Sequence, residues 1–171
     1  MDLSFSSEIK KNIVFNTVEK YLIIEKLNVI KSDTKRPWGG FFVIEEQQSK
    51  KFIEIFFGEI SQEELSLAKK ISPKILIVEP GKKLSWQYHH RRAELWKIIG
   101  EQVGIVASER DEETEVKKYK SGSIIQLKKG ERHRLIGLDS WGIIAEIWQH
   151  TDDKNPSDED DIIRLQDDFG R

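Results

Sequence analysis

Apolar residues at Ile9, Ile13, Val14, Val18, Tyr21 and Leu22 recur near helical spacing. They predict an amphipathic N-terminal helix with Ser6 or Ser7 as its cap. Pro37, Gly39 and Gly40 in "DTKRPWGGFFVIEE" break that pattern, and a short strand is expected at Phe41 to Ile44. The next stretch, "SKKFIEIFFGEISQEELSLAKKIS", reads as strand or helix; a helix from about Ser49 to Phe57, ended by Gly58, is preferred. From Pro73 onward short β-rich runs follow one another: "KILIVE", "KLSWQYH", "ELWKII", "QVGIVAS", "EVKKYK", "SIIQL", "RHRLIGL" and "WGIIAEIWQH". Turn-forming residues separate them, so roughly eight strands recur at the close spacing of an all-β sandwich or barrel. Closing them into a double-sheet jelly roll protects the edge strands and leaves a mouth where inward side chains converge. After His150, "TDDKNPSDEDD" reads as an acidic loop, and "IIRLQDDFGR" regains enough apolar character to dock back on the body.

A length of 171 residues suits one domain. With 34% charged residues and a formal net charge of -2, the chain has no net basic face, so no nucleic-acid partner is expected. There are no cysteines, which excludes disulfides, thiolate catalysis and Cys-based zinc sites; any metal must take nitrogen or oxygen ligands. The start, "MDLSFSSEIKKN", has neither a signal-peptide core nor the look of a transit peptide, and no apolar run approaches the ~18 residues of a membrane span. A cytoplasmic protein with no membrane partner is the expectation.

The densest chemistry lies in "PGKKLSWQYHHRRAELW". Gln87 and His89 are two apart, so on a strand they share a face, and Glu94 can reach them from the next strand. His133 sits in a second turn-and-strand unit, "SGSIIQLKKGERHRLIG". Two imidazole nitrogens, a carboxylate oxygen and an amide oxygen suit one divalent metal ion, Zn, Fe, Mn, Co or Ni, and the donor set does not select among them; zinc is taken as the first expectation for the cofactor. On spacing alone, a solvated turn and a hydrogen-bonded structural histidine are open as well.

These two stretches resemble the two cupin motifs, and in particular those of the type II mannose-6-phosphate isomerases. "RPWGGFFVIEE" and "DEDDIIRLQDDFGR" resemble two further segments of that family in the same order, so the likeness runs from about Arg36 to Arg171. The whole chain also resembles small stand-alone cupins described as mannose-6-phosphate or phosphoheptose isomerases. The resemblance implies a cupin jelly roll over 36–171 with a docking tail, preceded by an N-terminal helical extension over 1–35. It places the metal ligands on Gln87, His89, Glu94 and His133. Most cupins carry histidine where Gln87 stands, and the isomerase-like branch carries glutamine. Arg91 and Leu95 replace histidines usual in the family, and Lys128 and Gly137 replace a proline and an asparagine; none is a ligand position.

The implied activity is aldose–ketose isomerisation of mannose 6-phosphate and fructose 6-phosphate, or a related phosphosugar, feeding carbohydrate or polysaccharide precursor metabolism. Cations near the ligands in sequence, Lys82, Lys83, Arg91, Arg92, Lys128, Lys129, Arg132 and Arg134, suit a phosphorylated small sugar, although many such residues simply face solvent. Arg92, which matches an arginine of the isomerase motif, and His90 are the expected catalytic groups. Arg91, Arg92, Arg164, Arg171 and Trp38 are the expected substrate contacts. The alternative is a non-catalytic, metal-containing cupin that binds a sugar phosphate. A cupin dioxygenase is disfavoured, because Gln87 breaks the all-nitrogen face such iron sites prefer. A homodimer is expected by resemblance.

Overall fold

The computed structural model describes residues 2–60 and 70–170; Met1, Arg171 and the "SQEELSLAK" portion of the ambiguous stretch lie outside the described residues. Among the described residues, two α-helices, α1 (Lys11–Ile24) and α2 (Ser49–Phe56), accompany two antiparallel sheets. One sheet runs β1 (Val29–Arg36), β2 (Gly39–Ile44), β3 (Ile71–Val78), β10 (Gly142–His150), β5 (Arg92–Ile98), β8 (Ile124–Leu127). The other runs β11 (Ile162–Gln166), β4 (Trp86–His89), β9 (Arg132–Ile136), β6 (Gln102–Ser108), β7 (Lys117–Lys120). The expected jelly roll is therefore present, and each of the eight β-rich runs contributes a strand. Among the described residues no helix is long and apolar enough to cross a membrane.

The six-stranded sheet is covered on both faces, which explains why all nine residues of β10 are buried. Alternate side chains of β3 and β10 enter different cores, as the two-residue period of a strand requires. Ile75, Ile77, Ile143 and Ile147 meet Val14, Val18 and Leu22 of α1 and Phe52 and Phe56 of α2. Leu76, Val78 and Ile144 instead face Trp96, Ile105 and Leu135 between the sheets. Toward one end of the same inner face the residues become polar: Lys74 and Glu146 are cross-strand partners, as are Trp148 and Glu94. Gly39 has φ 142°, and a Cβ there would lie 1.9 Å from the carbonyl oxygen of Ile77, so only glycine lets β2 pair so closely with β3.

Two expectations need correction. α1 begins at Lys11, several residues after Ser6 and Ser7, because Ser6 pairs as an isolated bridge, Ser7 and Glu8 form a turn closed by the Ile9 N–H on the Ser6 carbonyl, and Lys10 is the extended cap. The Phe5 and Ile9 carbonyls each accept a hydrogen bond at 3.0 Å from Trp141, one from its backbone and one from its indole, and Ser6 bridges Ser140. Second, "VIKSDTKR" is strand β1, so a boundary between residues 35 and 36 would cut through the six-stranded sheet.

Candidate metal centre

His89 ends β4, and Glu94 follows the short turn into β5; Gln87 is the direct cross-strand partner of His133 on β9. The two sheets thus bring His89, Glu94 and His133 together, with their ligand atoms all within 4.8 Å of one another and each side chain buried. The His133 Nδ1–H donates to the Glu131 carbonyl at 2.9 Å, which leaves Nε2 as the lone-pair nitrogen. His89 Nδ1 lies 3.4 Å from the Asp161 carbonyl, and its Nε2 faces Arg92 Nη2, which has only hydrogens to give. Burial favours the neutral form of His89 by pushing its pKa down, against the opposing pull of Glu94. Neutral imidazole is the form that ligates metals.

The result is a convergence of acceptors. The two Nε2 atoms are 3.3 Å apart, Glu94 Oε1 is 3.1 Å from His89 Nε2, and Glu94 Oε2 is 3.3 Å from His133 Nε2. Glu94 Oε2 is buried and has no hydrogen-bond donor. Lone pairs facing lone pairs in a buried pocket call for a cation, so these residues fit a metal ion. The Gln87 side chain lines the adjoining cleft beside Glu94, its Oε1 fixed by the Ser85 hydroxyl at 2.6 Å. Burial alone would push the Glu94 carboxyl up, but a proton on His89 or His133 and the permanent charge of Arg92 hold it well below the ordinary carboxylate value, so Glu94 stays ionised beside the neutral imidazoles.

The cleft opens between the sheets beside Glu94 and Gln87. Its cations are Arg36, Lys74, Arg92 and Arg164. Of these only Arg92 belongs to the cations grouped near the ligands in sequence. Arg92 does not rim the mouth: it is 1% exposed, donates from Nε to Glu94 Oε1 at 2.7 Å, and lies 3.5 Å from the centre of the Trp148 ring. Arg91 is turned away from the cleft and clasps the acidic loop, reaching Asn155 Oδ1, the Pro156 carbonyl and Asp158 Oδ1. His90 is exposed, its ring edge-on to Tyr88, on the strand face opposite His89. Trp38 forms both core and cleft wall, and Arg164 lines the cleft from β11.

Three groups escaped the sequence reading. Lys74 is buried with its Nζ 3.4 Å from the Trp148 ring centre and 3.0 Å from Glu159 Oε1. Asp161 braces the His89–Arg92 turn through the backbone N–H groups of His90 and Arg91. Glu146 lines the cleft, with Oε1 accepting the Trp96 indole N–H at 3.0 Å and Oε2 that of Trp148 at 2.9 Å. Its one sequence signal is a carboxylate inside the apolar run "WGIIAEIWQH".

Burial, reinforced by the charge of Glu94, pushes the Glu146 carboxyl from 4.5 up to about 7. A carboxyl raised in the folded state holds its proton more tightly folded than unfolded, so its contribution to stability is full below pH 4.5 and lost as the pH rises to about 7. The metal-free wild type should therefore lose roughly 2–3 kcal/mol relative to Glu146→Gln across that window. Urea unfolding of both proteins at several pH values measures this, and a constant difference between them would rule it out.

The family described as mannose-6-phosphate isomerase C-terminal matches residues 54–167. No curated protein matches the chain in sequence. Among solved structures, a mutant of Bacillus subtilis oxalate decarboxylase superposes with TM-score 0.54 at 12% identity, covering 79% of this chain and 30% of that one. Vicilin from Corylus avellana gives TM-score 0.52 at 19% identity, covering 75% and 34%. The Lactobacillus farciminis oxalate decarboxylase formate complex gives 0.51 at 14%, covering 81% and 36%. This chain spans about a third of the length of those chains. At such identities the likeness shows the fold alone, a cupin jelly roll.

Proposed function

The chain belongs to the mannose-6-phosphate isomerase C-terminal family of cupins, and from that membership we propose a metal-dependent sugar-phosphate isomerase that interconverts an aldose and a ketose such as mannose 6-phosphate and fructose 6-phosphate. The observation that carries this reading is the buried acceptor-only cluster of His89, Glu94 and His133, which meets, through Glu94 and Gln87, a cleft lined by four cations. A divalent ion held by these four residues would supply Lewis-acid stabilisation of the sugar oxygens. The remaining work falls to the chain itself. Lys74, Arg36 and Arg164 give the cleft the positive charge that a phosphoryl group requires. Trp38 and Phe41 wall it against water. Proton transfer falls to Glu146 in preference to His90, because Glu146 lines the cleft and changes charge near neutral pH, whereas His90 lies outside it.

A second reading, a non-catalytic cupin that binds a sugar phosphate, is favoured by Arg92, which satisfies His89 Nε2 and Glu94 Oε1 without an ion. A coupled assay of mannose 6-phosphate and fructose 6-phosphate interconversion with added zinc, cobalt or manganese decides between the two, with sedoheptulose 7-phosphate as second substrate. Turnover is expected, and Glu146→Gln should lower it about a hundredfold while keeping its metal. Absence of turnover on either substrate, with the phosphosugar still raising the melting temperature, would establish the binding protein.

A further inference from the structure

Arg92 and a bound metal have claims on the same atoms. His89 Nε2 has one lone pair, and Arg92 Nη2 donates to it at 3.0 Å. An ion ligated by that nitrogen takes the lone pair, and the guanidinium must give it up. Arg92 nevertheless has little freedom to leave. Its Nη1 donates to Ser157 Oγ at 2.8 Å and to the Asp158 carbonyl at 3.2 Å, its Nε is held by Glu94, and its plane lies over Trp148. Metal loading therefore leaves a guanidinium edge without its acceptor at the wall of the cleft that Arg92 lines. A buried guanidinium N–H left without a partner is strongly unfavourable, and an oxyanion is its best replacement.

We infer that Arg92 is a metal-gated oxyanion anchor: it occupies ligand lone pairs in the metal-free protein and turns to an anionic ligand of the cleft once the metal is bound. This rests on the reading that His89, Glu94 and His133 take an ion. It requires reciprocal coupling, in which metal strengthens oxyanion binding and the oxyanion strengthens metal binding by the same factor. The ligand class is a phosphoryl-type oxyanion, so a phosphosugar gains from the metal more than the neutral sugar does.

Calorimetric titration of the full chain with zinc, in sulfate and in chloride at matched ionic strength, tests the coupling, because zinc sulfate stays soluble. Zinc affinity should rise about tenfold in saturating sulfate. Mannose 6-phosphate should show the same coupling and mannose should not. Arg92→Met should bind zinc at least as tightly as the wild type, having lost the competitor, and should show no sulfate effect. A tenfold or greater weakening of zinc in Arg92→Met would overturn the inference by making Arg92 a partner that orients the ligands. Where that variant does not fold, the wild-type titrations decide alone. Zinc binding without sulfate coupling overturns this inference only, whereas no zinc binding by the wild type overturns it together with the metal-site reading.

Discussion

Glu94→Ala is expected to take up no zinc, to show no isomerase turnover, and to be destabilised by roughly 3–5 kcal/mol. All three losses come from one carboxylate. It is the only anion of the cluster, touching His89 Nε2 at 3.1 Å and His133 Nε2 at 3.3 Å, so without it two neutral imidazoles face a cation alone. It is also the counter-ion of Arg92, whose Nε is 2.7 Å away with both side chains buried, and removing it strands a buried guanidinium. Glu94→Gln separates the two roles. The amide oxygen still accepts from Arg92 Nε and recovers part of the stability, while the missing charge keeps zinc out. Because the neighbouring charges hold the Glu94 carboxyl below its ordinary 4.5, its contribution is full above that value and fades as the pH falls through the lower folded value. Glu94→Gln should accordingly lose less stability on the acid side than the wild type, the remainder coming from Glu159 and Asp161, whose carboxyls are also held low. Zinc analysis of the purified variants and urea unfolding read these effects; stoichiometric zinc in Glu94→Ala would remove Glu94 from the metal site.

What the sequence made legible follows from where its information is local. The strands between Ile71 and His150 could be read because each carries its own β-rich run and each junction its own turn residues. The spacing of Gln87, His89 and Glu94 places them near one another through a single turn. Strand β1 could not be read, since it is an edge strand whose mostly exposed, polar residues carry no apolar alternation. The burial of Arg92 was illegible for a different reason. "HHRRAE" looks like a solvated turn until the Ser157 hydroxyl and the Asp158 carbonyl, some 65 residues later, and the Trp148 ring on the neighbouring strand arrive to occupy the faces of Arg92 that Glu94 leaves open. Arg91 was misplaced in the same way, by an acidic loop whose return path only the fold defines. Lys74 and Glu146 are cross-strand partners whose shared face becomes a cleft wall only when β11 closes over the other side.

That closure makes Asp161→Ala the second large effect. The Asp161 carboxylate, 4% exposed, accepts three hydrogen bonds: from the His90 N–H at 3.1 Å, the Arg91 N–H at 3.0 Å and the Ser157 hydroxyl at 2.6 Å. Alanine leaves these three donors without their acceptor and should cost roughly 3 kcal/mol, at about 1 kcal/mol each. The loss is not confined to stability. Ile162, the next residue, pairs with His89 in the β11–β4 ladder, and the Asp161 carbonyl is the atom facing His89 Nδ1. Residues that orient a ligand in this way commonly contribute ten- to hundredfold in metal affinity, so zinc binding by Asp161→Ala should weaken by about that factor. Asp161→Asn should fall between, because its amide can still accept at one oxygen but opposes a donor at the other. Wild-type zinc affinity together with a wild-type urea midpoint in Asp161→Ala would show that the tail merely covers the site. The expected pattern makes the "DEDDIIR" segment part of the candidate metal centre's support, which gives a physical reason for this tail segment to accompany ligands placed 28 to 74 residues before Asp161 in the chain, from His133 back to Gln87.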